Sequence, residues 1–429
     1  MRTSRDSAAP PETPVIAALD MGYGHLRAAA SIASVCGGTI VEADRPPIAS
    51  ESEMLAWRRA RRGYEVLSRA AYAWYAPGAR RILDAITDIP LHGAPGEHAA
   101  PNFAARSLHR MIGRGLGAGL AAHLRASPGP LVATFYAPAI AAEVHGADRV
   151  HLVVTDSDVN RVWAPHDPSS SRVNYLAPTA GAAARLVSYG VPPDRVRVTG
   201  FPLPPALIGD DGSRLRRDVA ARLARLDPCG AFVGPRRGEI EERLREPVGG
   251  PAGPPTVVFA VGGAGAQVGT ARRILTALRE PLAQGRLRLV LVAGTRPEVA
   301  RRFERWIAQA HAAASVRVVF EPAFAAYDTA FNESLAAADV LWTKPSELTF
   351  YAALGLPLLL ARPLGVHERR NRDWASGLGA AIEATDAAAT AARLPSLLAD
   401  GSLAAAAWAG FTQMPQLGAR RIVEAVAES

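Results

Sequence analysis

The feature that most constrains this chain occurs twice: an apolar strand, then a glycine-rich turn, then a segment of helical character. The first copy is Val15-Ile16-Ala17-Ala18-Leu19, the turn Asp20-Met21-Gly22-Tyr23-Gly24-His25 and the alanine-rich stretch Leu26 to Val35. The second runs from Thr256 to Val261 into Gly262-Gly263-Ala264-Gly265 and a helical pattern to about residue 275. Strand, glycine turn and helix together open a nucleotide-binding α/β domain. Two such openings in a chain of 429 residues, too long for one ordinary core, predict two Rossmann-like domains facing a cleft.

Other short apolar runs have the continuous hydrophobicity of buried parallel strands. They are Leu131–Thr134, His151–Thr155 and Arg195–Thr199 in the first half, then Leu287–Val292, Val316–Phe320, Val340–Trp342 and Leu358–Leu360 in the second. Helical patterns lie between them, as a doubly wound sheet requires. The division expected is a flexible tail over 1–14, a first domain over 15–204 and a second over 256–429. Between them, 205–255 is rich in Arg, Pro and Gly and reads as a linker or insertion with one helix near 213–226. The alanine-rich end, 404–427, is helical and has the option of packing back across the cleft.

Composition excludes several classes. With 49% hydrophobic and 21% charged residues the chain reads as an ordinary globular protein. Cys36 and Cys229 stand alone, so neither a disulfide framework nor a zinc site is expected, which fits a reducing cytoplasm. The first residues lack the apolar stretch of a signal peptide, and no apolar run reaches the roughly 18 residues of a membrane span. The net charge of +8 comes with no nucleic-acid signature, and no nucleic acid is expected as a partner. The segment from Met54 to Ile86 interleaves arginines with Trp57, Tyr64, Leu67, Tyr72, Trp74 and Tyr75 at near-helical spacing. It has two readings: a basic amphipathic surface for anionic lipid, which would place the protein peripherally at the inner face of a membrane, or helices packing their aromatic side inward.

Three clusters could carry chemistry. Gly22, Gly24 and His25 sit where a strand ends and a helix begins, which favours close approach of an anionic or oxyanionic group. A histidine there suits deprotonation of a hydroxyl, or else it caps local backbone. Gly262 and Gly263 repeat the turn and would set backbone amides against a diphosphate. The third cluster begins at Lys344, the only lysine of the chain, and continues through Ser346, Glu347, Leu348 and Thr349 into His367, Glu368 and Asn371. Amides and hydroxyls at its helix start can hold a diphosphate, and the second part can hydrogen-bond sugar hydroxyls.

In order and spacing these motifs resemble the GT-B glycosyltransferases that include monogalactosyldiacylglycerol synthases, processive diacylglycerol glucosyltransferases and the lipid II-forming N-acetylglucosaminyltransferase. The residues carrying the likeness are Gly22-Tyr23-Gly24-His25 with Ala28 and Ala29, Val154-Thr155-Asp156 with Trp163, and the run from Tyr175 to Val191. Val198-Thr199-Gly200-Phe201-Pro202, Gly262-Gly263, Lys344-Pro345 with Leu348-Thr349, and His367-Glu368 with Asn371 complete it.

The resemblance implies α/β GT-B architecture and inverting, metal-independent transfer from a nucleotide-diphosphate sugar, a UDP-sugar, to a hydroxyl acceptor that is lipid-linked in the relatives. It implies His25 as general base on the acceptor hydroxyl, with Asp156 orienting the acceptor or that histidine. Gly262, Gly263, Ser346 and Thr349 would bind the diphosphate and His367 with Glu368 the sugar, with Lys344, Glu347, Leu348 and Asn371 also in the donor site. No cofactor is implied, and no metal: Thr155-Asp156-Ser157-Asp158 contains a DxD-like pattern, but in the acceptor half.

Three departures bear on the reaction. The glycine pair after Lys344-Pro345 is Ser346-Glu347, the PGQ of the last motif is Gly365-Val366-His367, and the helix glutamate that holds the nucleotide ribose is Ala352. Either Glu347 substitutes for it, or the donor differs, or the chain is an inactive nucleotide-sugar binder. An epimerase or hydrolase of the same fold is the remaining alternative.

Overall fold

The computed structural model describes residues 12–72, 78, 88–127, 129–250, 253–261 and 267–429, with backbone alone at 64–65 and 67–72. Strands β1 (Val15–Ala18), β2 (Thr39–Glu42), β3 (Leu131–Ala133), β4 (Val150–Val153), β5 (Asn174–Ala177) and β6 (Val196–Val198) form one sheet, ordered β2-β1-β3-β4-β5-β6. All its neighbours run parallel. Strands β7 (Thr256–Ala260), β8 (Arg288–Gly294), β9 (Val316–Phe320), β10 (Val340–Thr343), β11 (Leu358–Leu360) and β12 (Ala381–Glu383) form a second parallel sheet, ordered β12-β11-β10-β7-β8-β9.

The central strands are buried along their whole length, which is why their sequences are apolar almost throughout, with His151 in β4 the main exception. The order reverses between β1 and β3 in the first sheet and between β7 and β10 in the second. Crevices at the carboxyl ends of such strands are where doubly wound sheets bind ligands. The loops after these strands face each other across the cleft.

The stretch 205–255 is not a free connector. Its helices Ser213–Leu226 and Arg237–Leu244 put Leu215, Val219, Leu223, Ile240 and Leu244 into the core of the second domain, which also takes in Phe201 and Leu203. Arg222, 2% exposed, is held there by donating to the carbonyls of Ala338 (2.8 Å) and Leu354 (2.6 Å). The last helix, Gly418–Ala427, returns to the first domain, where Ile422, Ala425 and Val426 pack on Ile16, Ile32, Val132 and Val153. Of the basic aromatic segment, Trp57 is in the first core while Arg58, Arg59 and Arg62 are exposed. Trp74 and Tyr75 lie outside the described residues. Among the described residues no helix is long and apolar enough to cross a membrane.

One buried histidine makes the fold acid-sensitive. His151 on β4 is 1% exposed; Ser429 Oγ lies 3.0 Å from Nε2, and Nδ1 has no partner among the described residues. Burial, aided by Arg149, lowers it from 6.5 to about 4. The fold accepts the neutral ring, so its contribution is whole above the unfolded value and is lost as pH falls toward the folded one. That amounts to about 2.5 kcal/mol between pH 7 and pH 4.5. Urea titrations at the two pH values should show His151→Gln losing less stability than wild type by about this amount; equal losses would mean that the ring does not titrate with folding.

Candidate active site

The first domain enters the cleft through the start of the helix Tyr23–Cys36, whose opening amides have no side-chain cap. Tyr23 Oη meets Thr295 Oγ1 at 2.9 Å and accepts from the Thr295 amide at 3.0 Å, while its ring packs on Tyr327 with centroids 4.7 Å apart. One turn later Arg27, 1% exposed, reaches into the second domain. Its Nε lies 3.3 Å from Asp328, its Nη2 donates to Asn332 Oδ1 at 2.6 Å, and the guanidinium sits over Phe331 and Tyr351.

Between Tyr23 and Arg27 stands His25, half-buried. Its Nδ1 lies 2.8 Å from the Thr134 carbonyl and 3.2 Å from Thr155 Oγ1. A carbonyl only accepts, so Nδ1 carries the proton in the neutral ring and the lone pair is on Nε2. Phe135 meets the ring edge-on at 4.8 Å. Burial holds the imidazole below its ordinary value, against the pull of Asp156, the Thr134 carbonyl and Glu347. The resting state is therefore the neutral base.

Around His25 is a cavity of about 330 Å³, within the size range of small-molecule sites. Its wall includes Gly22, Gly24, His25 and Asp156 from the first domain and Lys344, Ser346, Glu347, Leu348, His367 and Glu368 from the second. These ten expected site residues, far apart in sequence, meet because both switch points open onto one space. Gly24 is required by that meeting: a Cβ there would lie 2.5 Å from Glu347 Cγ. Gly262 and Gly263 lie outside the described residues; Val261 just before them lines the cavity.

Two expected residues do other work. Asn371, with no exposed surface, does not line the cavity. Its Oδ1 accepts from the Ser157 amide (2.8 Å) and hydroxyl (2.6 Å), and its Nδ2 donates to Asp156 Oδ1 (2.9 Å) and the Pro345 carbonyl (3.2 Å). These bonds tie the two domains together at this point. Thr349 is also fully buried, its hydroxyl spent on the Ser346 carbonyl at 2.9 Å. The element opening here is the 3₁₀ segment Glu347–Leu354, not an α-helix, and it turns Thr349 inward.

Glu368 lines the cavity, but both its oxygens are taken, one by Lys344 Nζ and the other by the Leu364 amide at 2.6 Å. Ala352 faces the core: a Cβ on Gly410 would lie 2.9 Å from its own Cβ, which leaves no room for a carboxylate. Sequence reasoning missed Tyr23, Arg27, Arg61, Thr295, Arg296 and Tyr327, all in the cavity wall. For Tyr23 and Arg27 a signal existed: they are four apart, on one helix face.

Two parallel six-stranded sheets whose switch points share a cleft define the GT-B fold, and the chain has it. No protein-family model matches the chain, and no curated protein matches it in sequence. Among solved structures it is similar to MurG from Acinetobacter baumannii (TM-score 0.51, 14% identity, 98% of this chain and 100% of that one). A UDP-GlcNAc 2-epimerase from Neisseria meningitidis, bound to UDP-GlcNAc, matches at TM-score 0.51 and 13% identity over 97% and 100%. The S. aureus MnaA–UDP complex matches at 0.52 and 12% over 97% and 96%. At such identities the likeness is one of fold.

Proposed function

We propose that the cleft binds a nucleotide-diphosphate sugar, of uridine type as in the Neisseria and S. aureus structures, and that the protein transfers the sugar to a hydroxyl acceptor with inversion. The observation that carries this reading is His25, neutral, with its proton fixed on Nδ1 by the Thr134 carbonyl, standing where both switch points meet. The acceptor hydroxyl gives its proton to Nε2 as its oxygen bonds to the anomeric carbon. The bond from that carbon to the diphosphate breaks, and the electron pair leaves with the diphosphate. Lys344 and the amides of Glu347 and Leu348, which open the turn after Ser346, take up that charge, so no step calls on a metal. Asp156, held by Asn371, steadies the imidazolium.

A second reading, a UDP-sugar epimerase, is favoured by the carboxylates of Asp156 and Glu347 beside His25, which could serve as acid and base on one sugar carbon. Thermal denaturation with UDP and UDP-sugars tests the binding: a ligand at one hundred times its Kd should stabilise by about 2.7 kcal/mol. No shift with any of them sinks the nucleotide-sugar reading. Incubation of UDP-GlcNAc without acceptor separates the two reactions. Transfer predicts no turnover, and a new epimer shows the second reading to be right.

A further inference from the structure

Four carboxylates line the cleft: Asp20, Asp156, Glu347 and Glu368. Three are engaged by the protein, Asp20 by Arg45 and Arg61, Asp156 by Asn371, and Glu368 by Lys344 and the Leu364 amide. Glu347 is half-buried and makes neither a hydrogen bond nor an ion pair among the described residues. Its side chain lies against the Gly24 backbone, and His25 and Arg27 both feel its charge.

A carboxylate taken partly out of water without a partner is costly, and a ligand that donates hydrogen bonds relieves that cost. The position selects the ligand group. Beside His25 is the reacting centre, so a distant nucleotide base or ribose is not what Glu347 meets. A diphosphate is an anion and would be repelled. Sugar hydroxyls donate, and charge-assisted bonds to a carboxylate are the strong kind. Glu368, the residue the sequence resemblance placed on the sugar, is already spent on Lys344.

We propose that Glu347 is a sugar-binding, specificity-determining residue that accepts hydrogen bonds from hydroxyls of the transferred sugar. This rests on the reading of the cleft as a nucleotide-sugar site. Isothermal titration of wild type, Glu347→Ala and Glu347→Asp with UDP and with UDP-GlcNAc tests it, with thermal midpoints confirming that both variants fold. Glu347→Ala should bind UDP-GlcNAc about 10-fold more weakly and UDP within about twofold of wild type, as loss of one charge-assisted bond to the sugar alone requires. Glu347→Asp should fall between. Equal weakening toward both ligands, or toward neither, overturns the proposal while wild-type binding of UDP-GlcNAc still supports the cleft. Binding of neither ligand by wild type overturns the reading of the cleft, and the proposal with it.

Discussion

His25→Gln should lower the proposed transfer rate by about 10²–10⁴-fold, the span that a positioned general base contributes. Glutamine retains a hydrogen-bond donor for the Thr134 carbonyl and fills most of the space against Phe135, but it has no lone-pair nitrogen to take a proton. The fold should therefore survive, and the affinity for UDP, gripped elsewhere in the wall, should not change. Burial keeps the imidazole below its ordinary value, so wild-type activity should hold as pH falls below that of an exposed histidine before its acid limb begins. The comparison is of kcat and of UDP affinity in the same preparations. Full activity in His25→Gln would remove the histidine from the chemistry; joint loss of activity and UDP binding would make it a scaffold residue.

The second large effect is expected at Arg27. Arg27→Met keeps much of the stem that packs over Phe331 and Tyr351 but leaves Asp328, only 18% exposed, without its cation. Removing one partner of a buried pair costs about 3–5 kcal/mol, and the partial exposure of Asp328 places the expectation near the lower end. Because this pair joins the two domains, the loss should also let the cleft open. Urea denaturation reads the stability, and small-angle scattering reads a larger radius of gyration. The double variant Arg27→Met, Asp328→Asn should recover part of the loss, since no uncompensated charge then remains. A single variant as stable as wild type would show that the stacked rings, not the charge pair, hold this junction.

Much of the architecture was legible because parallel strands are covered on both faces. Strands β1, β7 and β10 are almost wholly apolar and β4 is interrupted only by His151, so they announce themselves. Strands β2 and β12 were missed because each is short, partly exposed and ends in a glutamate, so neither carries such an apolar run. The interior strand β5 was missed for another reason: four residues beginning with a polar asparagine are too short a signal. The stretch 205–255 reads by its Arg, Pro and Gly content as a linker or insertion with one helix, and composition says nothing of where its arginines go: Arg222 is buried by bonds to two carbonyls that only the folded second domain supplies.

The cleft shows the same division. The sequence by itself determined that two strand–turn–helix units exist, that Gly22, Gly24 and His25 end one strand, and that Lys344, Ser346 and Glu347 end another. Those are local facts, set by hydrophobic period and turn chemistry over a few residues. Only the tertiary structure decided which of these groups is free to meet a ligand. Asn371 ties the domains together and Thr349 turned inward, Glu368 was consumed by Lys344, and Glu347 was left without a partner among the described residues. The reason is physical: a polar side chain in a cleft is satisfied by whichever donor or acceptor lies within about 3 Å, and that partner is chosen by packing between residues far apart in the chain.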